Sequence, residues 1–167
     1  MKSRKAIIRR FATFRWRPGK DSMHSIGSFY YSGEGVAQNY SKAKYWYLRS
    51  AQLGHMDSMC DLGRCYQRGV GVRKNQRQAL LWFTKAVKYG SICAMTWMGL
   101  EYSVKPIEDW PKARHWLEKA AEHQQSHAMY LLGIWAESGW TDGEKIAEAL
   151  FWFNKAALLG HNKAALH

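Results

Sequence analysis

The same pattern of glycine, alanine and tryptophan occurs four times along this sequence, and this repetition constrains the fold more than any other feature. In the second repeat the pattern consists of six residues: Gly63, Gly69, Gly71, Ala79, Trp82 and Gly90. Their counterparts in the first repeat lie 36 positions earlier: Gly27, Gly33, Gly35, Ala43, Trp46 and Gly54. The third and fourth repeats continue from Gly99 and Gly133, so the periods are 36, 36 and 34 residues. Periods of this length are typical of helical repeats that pack on their neighbours. The sequence therefore predicts an all-α solenoid of four helix-turn-helix repeats.

Within each repeat the residue types predict where the two helices stop and start. Gly33 and Gly35 can adopt the positive φ angles that end a first helix, and Asn39 is placed to cap the second. In the third repeat Lys105–Pro111 replaces the glycine turn, and we expect a cap at Asp109 there. We expect Ala43 and its equivalents to let paired helices approach closely. We expect the tryptophans three positions later to fill the space between repeats: Trp46, Trp82, Trp116 and Trp152.

The positive charge is concentrated at the start of the chain. The formal net charge is +12, and eight Lys and Arg residues precede the first acidic residue, Asp21. From Asp21 onward, 17 basic residues against 13 acidic ones leave a net charge of only +4. Ile7, Phe11 and Phe14 have helical spacing, so residues 1–20 are predicted to form a basic amphipathic helix or arm. This arm could cap the first repeat, act as a mitochondrial-type targeting segment, or contact nucleic acid or an acidic membrane.

The repeats are expected over residues 21–167, with repeats at about 21–55, 56–90, 91–125 and 126–161 and a remnant at 162–167. Cys60, Cys65 and Cys93 are odd in number and do not recur with the repeat, so we expect them to be reduced. No apolar run approaches the roughly 20 residues of a membrane span. These features predict a soluble, cytoplasmic protein, with a mitochondrial location as the alternative if residues 1–20 act as a targeting segment.

The repeats resemble the Sel-one-like repeat family, which is related to the tetratricopeptide repeats. The resemblance rests on Leu62-Gly63-x-x-Tyr66-x-x-Gly69-x-Gly71-Val72, followed by Ala79-x-x-Trp82, Ala86 and Gly90. It covers residues 21 to about 163 and is weakest in the third repeat, which lacks the turn glycines. It implies an α/α superhelix that acts as an adaptor or scaffold for a protein or peptide partner, without chemistry of its own.

By analogy with tetratricopeptide repeats, the first helix of each repeat lines a concave face. The positions implied are three before and one, four and five after the helix glycine. They are His24, Ser28, Tyr31, Ser32, Cys60, Arg64, Gln67, Arg68, Thr96, Leu100, Ser103, Val104, Tyr130, Ile134, Glu137 and Ser138. The predicted partner-binding residues among them are His24, Tyr31, Arg64, Gln67, Arg68, Leu100, Tyr130 and Glu137. Because Arg64 and Arg68 are four residues apart on a helix, both could hold one acidic anchor of the partner.

Catalysis, metal binding and cofactors are not predicted. His123 and His127 have helical spacing but straddle the junction between two helices, and the Gly-x-Gly turns lack the strand and lysine of a phosphate loop. The alternative function is RNA binding through the basic N-terminal arm. At the other end, no polar helix follows Gly160, and we expect a partner or a second copy to cover the open end. The apolar residues there are Ala157, Leu158, Ala164, Ala165 and Leu166.

Overall fold

The computed structural model describes residues 18–139 and 145–166, and every regular element in these ranges is helical. The helices are α1 (Lys20–Ser32), α2 (Tyr40–Gln52), α3 (Met56–Arg68), α4 (Gln76–Lys88), α5 (Ile92–Tyr102), α6 (Trp110–Glu122), α7 (Ser126–Glu137) and α8 (Lys145–Leu158), with a 3-10 turn at Ala164–Leu166. The predicted all-α repeat fold is confirmed. None of the helices in the described ranges is long and apolar enough to cross a membrane.

Two predicted features fall partly or wholly outside the described residues. The predicted N-terminal arm extends over residues 1–20, of which 1–17 are not described, and Lys20 is already the first residue of α1. In the sequence of the fourth repeat, Trp140-Thr-Asp-Gly143 stands where the first two repeats have the Gly-x-Gly turn, and these residues also lie outside the described ranges.

The chain divides into two compact units, residues 1–91 and 92–167, and each contains two repeats. In the first unit α1 packs against α2, α2 against α3, and α3 against α4. In the second unit α5 packs against α6, α6 against α7, and α7 against α8. Each repeat is thus a helical hairpin that also packs on the next hairpin of its own unit.

The helix boundaries follow the turn and capping residues of the sequence. Gly33 and Gly69 end α1 and α3 with φ angles of 77° and 75°. Asn39 Oδ1 accepts a hydrogen bond from Lys42 N at 2.9 Å, and Asn75 Oδ1 accepts one from Gln78 N at 3.0 Å. In the third repeat Asp109 caps α6, with a proline in the first turn. The predicted caps are therefore confirmed, including the one that replaces the glycine turn.

The core of each hairpin lies where the glycine of the first helix meets a large side chain of the second, and that side chain is not the tryptophan. A Cβ atom on Gly63 would lie only 2.3 Å from the Phe83 ring. The other three hairpins pair Gly27 with Tyr47, Gly99 with Leu117, and Gly133 with Phe153. Trp82 is only half-buried. The expectation that the tryptophans fill the space between repeats concerns a different contact and stays a prediction.

Helix geometry explains the difference between Phe83 and Trp82. Ala79, Phe83 and Ala86 have i, i+4, i+7 spacing and are all fully buried, so they face the neighbouring helices. Trp82, three residues after Ala79, points about 60° to one side of this stripe. The Lys85 ammonium lies 4.4 Å from the centroid of the Trp82 ring, and Lys119 lies 5.1 Å from that of Trp116. These two tryptophan rings thus lie at the edge of the core, each with a lysine ammonium over its face.

The C-terminal end is partly covered by the chain itself. Residues 161–166 fold back on α8: His161 N donates to Ala156 O at 3.0 Å, and Ala164 is buried. Within the described residues a 3-10 turn therefore stands where the sequence suggested the start of another helix. Leu158 remains 87% exposed. The expectation of uncovered apolar surface is wrong for Ala164 and holds for Leu158.

Candidate partner-binding site

A cleft of about 370 Å³ opens in the first unit, and two of the predicted binding residues, Tyr31 and Arg64, line it. Side chains from three helices and one turn form its walls. They are Ser28, Phe29, Tyr31, Ser32, Glu34, Tyr47, Asp61 and Arg64. First-helix residues of two successive repeats therefore line one cavity.

Asp61 contacts both Arg64 and His24 in this cleft, and the sequence analysis did not predict it as a site residue. Its Oδ1 accepts a hydrogen bond from Arg64 Nη1 at 3.0 Å, and its Oδ2 lies 3.0 Å from His24 Nε2. Burial lowers the pKa of Arg64, but the charge and hydrogen bond of Asp61, together with Tyr31 and Cys60, raise it by more in sum, so the guanidinium stays charged. Arg64 is thus already paired with a carboxylate of its own helix. The i, i+3 spacing of Asp61 and Arg64 is the signal that could have revealed the pair.

Tyr47 forms a wall of the cleft from α2. Its ring packs on Gly27, and its hydroxyl donates to Ser28 Oγ at 3.3 Å. Ser28 Oγ in turn donates to the His24 carbonyl at 3.2 Å. Burial raises the pKa of Tyr47 well above its usual range, so the phenol stays protonated. The cleft therefore offers a fixed hydroxyl network beside the ion pair.

His24 joins the cleft to the junction between the first two repeats. Its ring stacks on that of His55 with centroids 4.6 Å apart. His55 caps α3, because its Nδ1 accepts a hydrogen bond from Ser58 N at 3.1 Å. Its other ring nitrogen, Nε2, lies 3.3 Å from Asp21 Oδ1. Burial lowers the pKa of His55, and the adjacent His24 lowers it further. The neutral ring with its proton on Nε2 satisfies both contacts.

The remaining predicted residues of the first unit do not line the cleft. Gln67 is half-buried on α3, and its Oε1 atom has no hydrogen-bond partner among the described residues. Arg68 is exposed at the last residue of the same helix. Cys60, which the register placed on the exposed face, is buried. The register is therefore wrong for Cys60, because that position faces the core in the second repeat.

The three predicted residues of the second unit differ in exposure and in contacts. Leu100 is half-buried on α5, and Glu137 is exposed at the end of α7. Tyr130 stacks on His161 with ring centroids 4.4 Å apart. Thr96, also placed on the exposed face by the register, is buried.

The two histidines that the sequence analysis considered as metal ligands lie at the junction of two helices. His123 follows the end of α6 and His127 lies in α7, as the sequence indicated. Within residues 18–139 and 145–166, no group of three or more His, Cys, Asp or Glu side chains could hold a metal ion.

The four helical hairpins coincide with four matches to one family model, that of the Sel1 repeat. The matches cover residues 20–55, 57–91, 94–124 and 126–161. The chain belongs to the Sel1 repeat family. The family resemblance found in the sequence is thereby confirmed, and Sel1 repeat proteins are generally protein-interaction modules.

Two solved structures of Sel1 repeat proteins are similar to this chain. One is a Sel1 repeat protein from Oxalobacter formigenes, with a TM-score of 0.79 and 28% identity over 92% of this chain and 65% of that protein. The other is c5321, a protective antigen present in uropathogenic Escherichia coli strains, with a TM-score of 0.71 and 28% identity over 87% of this chain and 32% of that protein. This chain thus spans less than two thirds of the length of either structure. No curated protein matches it.

Proposed function

We propose that this Sel1 repeat chain is a non-enzymatic adaptor that binds a protein or peptide partner, and that the cleft of the first unit is a binding site. The observation that carries this proposal is the cleft itself, because it joins first-helix side chains of two successive repeats. The general role of the family as an interaction module supports the same function.

The chemistry of the cleft suits a polypeptide segment. Phe29, Tyr31 and Tyr47 supply aromatic surface, while Ser28 and Ser32 supply hydroxyl groups. Specific sites commonly combine apolar surface with a few fixed polar groups that orient the ligand. A peptide could bind the hydroxyl groups through its backbone and insert one side chain against the aromatic surface.

The acidic anchor predicted on Arg64 and Arg68 stays a proposal, and the cleft supports it less well than expected. The pairing of Arg64 with Asp61 at 3.0 Å means that a second carboxylate would have to share or displace the first. Removing a carboxylate from a partly buried pair has a desolvation cost, so the net gain in affinity would be small. An acidic group would find a better partner outside the cleft.

Selection of peptides from a displayed random library would test the cleft. Peptides that bind the wild-type chain should lose at least about tenfold in affinity for Tyr31→Ala/Arg64→Ala. The matched control is Tyr45→Ala/Arg49→Ala, which removes an exposed tyrosine and the arginine that donates to its hydroxyl at 2.9 Å. The control should retain the wild-type affinity. Equal losses in both variants, or no loss in the cleft variant, would contradict the proposal, and thermal melting of both variants checks that they fold.

Three finer predictions also stay proposals. RNA or acidic-membrane contact by the N-terminal arm is supported by seven Lys and Arg and no acidic residue within residues 1–17. A homodimer through the C-terminal end is supported by the exposure of Leu158 and Leu159. A cytoplasmic location is supported by the odd number of cysteines in the sequence.

A further inference from the structure

The two units differ sharply in charge, although the sequence beyond the arm looks nearly balanced. Residues 18–91 contain 11 Lys and Arg against four Asp and Glu, a formal charge of +7. Residues 92–167 contain seven against nine, a formal charge of −2. The net charge of +4 from Asp21 onward is therefore the sum of +6 over residues 21–91 and −2 over residues 92–167.

Six basic residues of the first unit lie at the end of the hairpins where α1 and α3 stop and α2 and α4 start. We call this group the basic edge; it consists of Lys42, Lys44, Arg68, Arg73, Lys74 and Arg77. All of them except the half-buried Lys44 are exposed. Burial raises the pKa of the Cys65 thiol to about 11, and the positive charges of Lys44 and Arg68 act in the opposite direction. Both charges therefore lie near Cys65, although they come from different repeats. The edge thus joins both repeats of the unit.

Among the described residues of the first unit, one acidic residue lies at this end of the hairpins, Glu34 in the turn between α1 and α2, against the six basic ones. The first turns of α2 and α4 contain no acidic residue, although carboxylates are usually favourable at helix N-termini. The first turns of α1 and α3, at the opposite end of the hairpins, contain Asp21 and Asp57. Within the described residues, Arg73, Lys74 and Arg77 form no ion pair. Their charges are available to a partner.

The basic edge is continuous with the cleft. Tyr31, which lines the cleft, contacts Tyr40 edge to face with ring centroids 5.5 Å apart. Tyr40 begins α2, and a Cβ atom on Gly71 would lie 2.6 Å from its carbonyl oxygen. The turn that carries Arg73 and Lys74 therefore packs directly on the residue that borders the cleft.

The sign of the charge changes along this continuous surface. The cleft contains the carboxylates of Asp61 and Glu34 and one guanidinium, that of Arg64, whereas the six residues that define the basic edge are all positive, with Glu34 as the acidic residue beside them. A nucleic acid has a phosphate at every step, so its backbone would be repelled where it reached the cleft. A polypeptide can place acidic residues on the edge and uncharged or basic residues in the cleft. Charge complementarity therefore favours a polypeptide.

We propose that the basic edge binds an acidic stretch of a polypeptide partner, with the residues adjoining that stretch entering the cleft. This inference rests on the proposed function and adds the chemical class of the partner. It also relocates the acidic anchor from Arg64, which Asp61 already neutralises, to Arg73, Lys74 and Arg77.

Fluorescence anisotropy with a labelled deca-glutamate peptide tests the proposal on the full chain. The test variant is Arg73→Glu/Lys74→Glu/Arg77→Glu. The control is Lys20→Glu/Arg49→Glu/Lys88→Glu, which makes the same charge change at the opposite end of the same hairpins. We expect the test variant to bind at least about tenfold more weakly than wild type, and the control to lose less than about threefold. Both variants retain residues 1–17, so binding by that arm cancels in the comparison.

Three outcomes would overturn the proposal. The first is an equal loss in both variants, which would mean that only net charge matters. The second is unchanged binding by the test variant. The third is tighter binding of a single-stranded oligonucleotide of the same length through the same three residues. If the test variant does not fold, Arg73→Ser/Lys74→Ser/Arg77→Ser provides the same comparison with a smaller charge change.

The outcome separates this inference from the proposed function. Loss of selected peptides in Tyr31→Ala/Arg64→Ala, with no effect of the edge variant on deca-glutamate, leaves the adaptor function intact and rejects the acidic partner. Loss of deca-glutamate in the edge variant, with no effect of the cleft variant on selected peptides, rejects the cleft as the binding site.

Discussion

At the level of single residues, a glycine and the ring packed on it set the distance between the paired helices. The Cβ that Gly63 lacks would clash with Phe83, which is fully buried. Any larger residue at position 63 would have to move the ring or the helix, and close-packed cores resist both changes. Gly63 and its counterparts Gly27, Gly99 and Gly133 therefore mark contacts between paired helices, whereas Gly33 and Gly69 mark turns.

Replacing Phe83 by alanine should destabilise the chain much more than replacing the neighbouring tryptophan. We expect Phe83→Ala to lower the free energy of unfolding by about 3–5 kcal/mol, because it empties a fully buried site. Trp82→Ala should cost less, because that ring is half-buried and its outer face contacts Lys85. Urea denaturation of both variants provides the comparison. A larger loss in Trp82→Ala would show that the tryptophan fills the core after all.

The full burial of Phe83, and not of Trp82, shows what the sequence could and could not predict. Ala79, Phe83 and Ala86 have helical spacing and are buried, whereas Trp82 and Val87, which fit the same apolar pattern in the sequence, are only half-buried. Two adjacent aromatic residues both fit the edge of such a pattern. Which of the two is buried depends on how α4 is rotated about its axis relative to α3. That rotation is set by the contact with Gly63, which is a tertiary feature.

At the level of elements, the start of α3 is held by contacts from α1 and α2. Ser58 Oγ, in the first turn of α3, donates to Ser50 Oγ of α2 at 2.7 Å, and Ser50 Oγ donates to the Lys20 carbonyl of α1 at 2.6 Å. Both serines are fully buried. His55 completes this junction as the cap of α3. The junction between the first two repeats is therefore polar, and it depends on a neutral imidazole.

Stability should fall on mild acidification because of this cap. The pKa of His55 is lowered in the fold, by burial first and by His24 second, while Asp57 and Asp21 act in the opposite direction with less effect. The unfolded chain therefore binds more protons than the folded chain below about pH 6.5, the usual pKa of histidine. The stabilisation is present above that pH and is lost as the pH falls toward the folded pKa. Urea denaturation between about pH 5 and pH 7.5 measures this dependence.

His55→Asn isolates the contribution of the cap, because asparagine can still accept the hydrogen bond of Ser58 but does not titrate. We expect this variant to have a shallower pH dependence than wild type. Some slope should remain, since burial and His161 also lower the pKa of His127. His123→Asn, at an exposed position after α6, is the control and should retain the wild-type slope. A wild-type stability that does not change with pH would contradict the role of a neutral His55.

Local signals explain why the helices were predicted better than the site. Asn39, Asn75 and Asp109 act within three residues of themselves, so their effect can be read from the sequence. The cleft depends on Asp61, whose importance comes from a contact with His24, 37 positions away. Because such a contact depends on how two successive hairpins pack, the sequence pointed to Arg64 without showing that it was already paired.

At the level of the whole molecule, the same repeat builds two units of different surface chemistry. The first helices of the second unit, α5 and α7, carry only Glu101 and Glu137 as charged residues. Those of the first unit, α1 and α3, carry Lys20, Asp21, Asp57, Asp61, Arg64 and Arg68. The period of the sequence predicts the shared fold, but these differences occur at positions that the repeat leaves variable. Partner choice must therefore be argued from each unit separately.

Self-association through α8 is the prediction that concerns the molecule as a whole. Ile146, Phe151 and Leu158 are 76%, 50% and 87% exposed, which is unusual for three large apolar side chains on one helix. If a second copy covers them, the average mass in sedimentation velocity should rise with protein concentration. Leu158→Glu should then raise the dissociation constant of the dimer about tenfold or more, because it places a charge in an apolar contact. The control is Leu81→Glu on α4, where the leucine is 55% exposed in the first unit, and it should leave the association unchanged. A mass that stays that of one chain at all concentrations, or an equal effect of both substitutions, would show that a second copy does not cover α8.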